Sequence, residues 1–123
     1  MREWTDDNFG NEGARTYLEV LAAKLVATIS EILSDPERLA LDEDGEGMFM
    51  PSVELLALLC ERYAIAPPRA TTSDHWAERY LTQYDDTIDR YRVTADFKVS
   101  RRRVIENTFR WLRRLATTYW DEE

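Results

Sequence analysis

The residues best suited to chemistry stand in one short run, Asp42-Glu43-Asp44-Gly45-Glu46-Gly47, followed at once by the apolar Met48-Phe49-Met50. Clustered carboxylates in a glycine-containing loop are what a hard divalent cation requires. Set against a calcium-binding helix–loop–helix, Asp42, Asp44 and Glu46 take the first three acidic ligand positions. Gly47 takes the glycine position, and Phe49 the apolar one. The match then fails. The closing bidentate carboxylate is replaced by Val53, with Glu54 one place late. Pro51 obstructs the backbone path, and Pro36 breaks the helix that should enter the loop. The run reads as a hydrated turn, with Asp42, Asp44 and Glu46 as weak cation ligands at most.

Two further residue types carry chemistry in other proteins. His75 is the only histidine. It has no second histidine and no neighbouring cysteine, so neither a zinc motif nor a histidine pair is present. It reads as a first-turn surface residue. Cys60 is the only cysteine. It sits in an apolar helical stretch, far from the cationic or helix-N-terminal setting that generates a thiolate, and reads as a buried structural thiol. No phosphate-binding glycine loop, dinucleotide fingerprint or nucleophile elbow occurs. Enzyme activity therefore has no constellation to rest on, and no cofactor is implied.

The elements that would position these residues follow from composition and periodicity. The chain has 123 residues, 44 % of them apolar and 33 % charged, which suits one domain with a real core. Leu18, Leu21, Leu25, Ile29 and Ile32 recur at steps of three or four, which predicts a helix over 14–33. Asn11 serves as its N-cap, and Pro36 lies just beyond its end. Residues 37–50 predict a short β-hairpin or an extended loop around the acidic run. A second helix is expected from Pro51 to about Tyr63, apolar on most sides and so central. Ile65-Ala66-Pro67-Pro68 then reads as a rigid linker. A third helix, capped by Thr72 or Ser73, carries Trp76, Tyr80, Tyr84, Ile88 and Tyr91 on one face. A fourth, capped by Ser100, carries Val104, Ile105, Phe109, Leu112 and Leu115. The expected fold is mainly α, a single domain over 1–123 with about four helices in a compact bundle.

Charge is unevenly distributed. The net charge is −8. Residues 1–87 carry 7 Lys or Arg against 18 Asp or Glu, whereas residues 88–120 carry 9 against 3. The acidic whole disfavours generic binding to nucleic acid or an anionic membrane. The basic last helix, with Arg101, Arg102, Arg103, Arg110, Arg113 and Arg114, has two uses. It neutralises the acidic helices beside it, or it presents a patch to phosphates or to an acidic protein. No apolar run is long enough to cross a bilayer. The opening residues contain no secretory signal core. Together with the single cysteine this predicts a cytoplasmic setting.

Trp4, Phe9, Asn11, Ala14, Tyr17 and Leu18 together resemble the opening of a bacterial family known as domain of unknown function 4259. Thr5 replaces the usual glycine after the tryptophan, and Glu12 replaces the usual aspartate. The likeness continues through Met50–Tyr63 and the proline linker. It implies a small cytoplasmic α-rich bacterial domain and brings no activity with it.

The functional expectation is a non-catalytic protein-interaction module, immunity-like or regulatory, that binds a protein partner or a second copy of itself. The expected contact residues are Trp4, Asp6, Asp7, Tyr80, Tyr84, Arg110, Arg113 and Arg114. The alternatives are a metal-dependent enzyme with a small acidic pocket, and nucleic-acid binding through the basic helix.

Overall fold

Asn11 begins the fold. Its side chain accepts from the Ala14 backbone N–H at 2.8 Å and caps α1, Glu12–Leu33, in whose first turn Glu12 also lies. The computed structural model describes residues 5–121. Asp35 caps a single turn, α2 (Pro36–Leu39), through the N–H groups of Glu37 and Arg38. Then come α3 (Met50–Tyr63), α4 (Ala70–Thr87), a 3₁₀ turn over Ile88–Tyr91, and α5 (Ala95–Trp120).

The segment expected as a hairpin or extended loop is helical instead. Leu41–Phe49 winds in wide π-type turns, with one non-helical residue at Glu43 (φ −104°, ψ −121°). Gly45 explains this. Its N–H donates to the Ala40 carbonyl at 3.1 Å. A Cβ at Gly45 would lie 2.3 Å from the Leu39 carbonyl oxygen. Only glycine lets the chain close this tightly on itself. Two other boundaries shift from expectation. α4 starts at Ala70 rather than near Thr72. α5 starts at Ala95, where Thr94 rather than Ser100 supplies the cap by accepting from Phe97 N–H at 3.1 Å.

α3 is the central rod and packs against both α1 and α5, while α4 packs on α5. Its inner side, Val53, Leu56 and Ala57, is fully buried. Phe49 stacks on Tyr80 with ring centroids 4.9 Å apart. Ile29, Ile32, Ile105 and Leu112 complete the centre of the core. The helix ends are tied across the bundle. Arg15 donates to the Tyr63 carbonyl and Arg79 to the Leu33 carbonyl, placing cations at the C-termini of α3 and α1. Trp120 Nε1 donates to the Pro67 carbonyl at 2.9 Å, and the Arg69 guanidinium lies 3.8 Å from the Trp120 ring centre. The proline linker is thereby fixed to the end of α5.

Candidate functional site

The acidic run is held by the rest of the chain. Arg101 on α5 grips Glu46 in a bidentate pair, Nε to Oε1 at 2.7 Å and Nη2 to Oε2 at 2.9 Å. The buried Tyr80 hydroxyl on α4 donates to the same carboxylate. Arg38 Nε meets Asp44 at 2.8 Å, and Tyr91 donates to Asp42 at 3.1 Å. Partial burial pushes the Glu46 carboxyl up, but the hydrogen bonds from Arg101 and Tyr80 outweigh it and hold the carboxyl below its ordinary range. Burial, followed by the Glu46 hydrogen bond, raises Tyr80 far above the usual phenol value. Glu46 is thus an ionised strut joining Leu41–Phe49 to α4 and α5. Among the described residues no group of three or more His, Cys, Asp or Glu is placed to hold a metal ion.

Three of the six arginines of α5, namely Arg101, Arg102 and Arg113, are turned to the same use. Arg102 forms a second bidentate pair with Asp85 of α4, both bonds at 2.8 Å, and also reaches Glu106. The hydrogen bond from Arg102 lowers the Asp85 carboxyl below its ordinary range. Arg113 pairs with Asp74 near the start of α4. Arg110 donates to Asn107 at 3.0 Å. Arg114 borders a cavity of about 270 Å³ beside Cys60, Leu115 and Tyr119.

The other expected contact residues divide between surface and core. Trp4 lies outside the described residues. Asp6 and Asp7 are exposed, and Asp7 accepts from Phe9 N–H at 3.0 Å in a local turn. Tyr80 and Tyr84 correct the expectation. Both have 0 % exposure, because their face of α4 is the one laid against α5 and Phe49. Tyr84 donates to the Lys98 carbonyl at 2.8 Å. Neither ring presents surface to a partner. Phe9 packs against Tyr63, with ring centroids 4.7 Å apart and the planes tilted by 54°. His75 is exposed. Cys60 is buried, which pushes its thiol up to about 11.

A different surface emerges from the packing. Between the outer sides of α1 and α3 runs an apolar groove of about 510 Å³, formed by Leu21, Leu25, Leu55, Leu58, Leu59 and Tyr63. Leu55 is 51 % exposed and Leu58 44 %. Tyr17, at 60 %, and Val20, at 45 %, are further exposed apolar residues of α1. Sequence reasoning passes over this surface, because the all-round apolar character of α3 reads as complete burial. The available signal is a count of neighbours: α1 and α5 cover two sides of α3, and Leu55 and Leu58 are left over.

Comparisons with models of known protein families, with curated proteins and with solved structures gave no match.

Proposed function

We propose that this chain is a non-catalytic protein-interaction module of the bacterial cytoplasm, immunity-like or regulatory in kind, and that the α1–α3 groove is its docking face. We also group it, through its opening segment, with domain of unknown function 4259. The carrying observation is the groove itself. Large leucines stand half-exposed in a chain that is one-third charged, and concave apolar surface of this kind marks binding sites. Several of the ionisable groups that an enzyme or a nucleic-acid binder would use are engaged within the chain. Asp42, Asp44 and Glu46 accept from Tyr91, Arg38 and Arg101, and Arg101, Arg102 and Arg113 hold carboxylates. These ties favour a structural role for both charged segments over the metal-dependent and nucleic-acid alternatives. Among the described residues, no helix is long and apolar enough to cross a membrane.

The reading is tested by cross-linking the tagged chain in its native cells, purifying any captured protein and rebuilding the complex from pure components. A saturable complex supports the module. Failure of every captured protein to rebind in pure form refutes it.

A further inference from the structure

The groove has a definite chemistry, and the ligand assigned to it here rests on its being the docking face of an interaction module. On α1, Leu21, Lys24, Leu25 and Thr28 stand at i, i+3, i+4 and i+7. On α3, Leu55, Leu58, Leu59 and Arg62 repeat the same steps. Each set therefore lies along one side of its helix. The two stripes form the walls of a trough, the shape that takes the apolar face of a third, amphipathic helix.

The charged residues of the trough decide what flanks that face. Lys24 and Arg62 line it, and no carboxylate does. Arg38, Arg101, Arg102 and Arg113 each form an ion pair with a carboxylate of the chain. Among the described residues Lys24 and Arg62 do not; Arg62 lies 5.7 Å from the centre of the Tyr63 ring. Two uncompensated cations thus edge an apolar trough on a chain of net charge −8. A second copy docking through the same face would bring Lys24 and Arg62 against like charges, with no lining carboxylate to meet them. Glu54 and Glu61 are exposed on α3 outside the lining, and they oppose a ligand that is acidic all round.

We infer that the groove accepts an amphipathic helix of another protein, whose apolar anchors at i, i+3 or i+4 and i+7 are flanked by Asp or Glu that pair with Lys24 and Arg62.

The test uses two fluorescein-labelled, hydrocarbon-stapled helices of about 18 residues, long enough to span α3. They share leucine anchors and differ only in Glu or Lys flanks. Each is titrated by fluorescence anisotropy against the wild-type chain, L58D and K24E/R62E. These positions lie outside the buried core, so circular-dichroism melts of the variants should overlay the wild type. The Glu-flanked helix is expected to bind wild type saturably, and the Lys-flanked helix about tenfold more weakly. K24E/R62E should reverse that preference, and L58D should abolish binding of both. Equal binding of the two helices to wild type overturns the inference, as does no saturable binding of the Glu-flanked helix. A purified native partner that binds K24E/R62E as tightly as wild type overturns it too, and leaves the interaction-module reading standing. If no partner survives reconstitution, that reading falls instead.

Discussion

Replacing Glu46 by alanine removes one carboxylate that accepts three hydrogen bonds, two from Arg101 and one from Tyr80. The damage extends beyond those bonds. The Arg101 side chain is only 23 % exposed, and Tyr80 is fully buried. Both donors are left without their acceptor in places that water reaches poorly. A buried donor left unpaired costs roughly 1–3 kcal/mol, and more when it is charged. Full loss of a partner from a buried ion pair costs about 3–5 kcal/mol. The partial exposure here places Glu46→Ala near the lower end, at about 3 kcal/mol. For a chain of this size that lowers Tm by roughly 10 °C. The Arg102–Asp85 pair provides the control. Its geometry is equally bidentate, but its side chains are 36 % and 46 % exposed, and such pairs contribute about 0–1 kcal/mol. Urea unfolding of Glu46→Ala, Arg101→Ala and the double variant, beside the matching Asp85 and Arg102 set, yields the two coupling energies. A coupling for Glu46–Arg101 at least about 1 kcal/mol above that for Asp85–Arg102 is expected. Equal couplings would refute the claim that Glu46 is the strut on which the acidic run is fixed.

The same geometry sets other outcomes. The Glu46 carboxyl is depressed in the folded state, so its stabilisation is present above the unfolded carboxyl range and is lost as pH falls through the folded value. Stability of wild type measured by urea titration should decline on the acid side more steeply than that of Glu46→Gln. Gly45→Ala places a methyl 2.3 Å from the Leu39 carbonyl oxygen and should cost about 2 kcal/mol by denaturant unfolding; an unchanged midpoint would mean that the wide turn is not closely packed. Ala64 ends α3 in the left-handed region at φ 54°, so Ala64→Gly should raise stability by about 1 kcal/mol. Cys60 should resist a disulfide-exchange reagent in the native protein at pH 8 and react fully in denaturant, because burial keeps the thiol protonated; rapid native labelling would show that α3 opens.

Much of this architecture is visible in residue order. Leu18 to Ile32 mark α1 by their spacing, Asn11 marks its start and Pro36 its limit, because those signals are local. The acidic segment misleads for a physical reason. Residues 37–50 alternate short apolar pieces with carboxylates, which resembles a strand–loop–strand pattern. Gly45 lets the turn close locally, but what anchors the segment to the bundle is distant: Arg101 and Tyr80, brought by α5 and α4, hold Glu46. The same remoteness hides the fate of Tyr80 and Tyr84. An aromatic stripe on α4 has the same spacing whether it faces solvent or a neighbouring helix, and only the packing of α5 onto it decides. The groove is obscured in the opposite way. Leu55 and Leu58 look like core residues, and they remain half-exposed because nothing within the described chain covers that side of α3.

The most direct measurement places a photo-activated cross-linking amino acid at Leu58 in the groove and, separately, at Val99 on α5, in the native cell. The account predicts a discrete protein adduct from position 58 and none from position 99. Adducts from position 99 alone, or from neither site, would contradict the α1–α3 groove as the docking face.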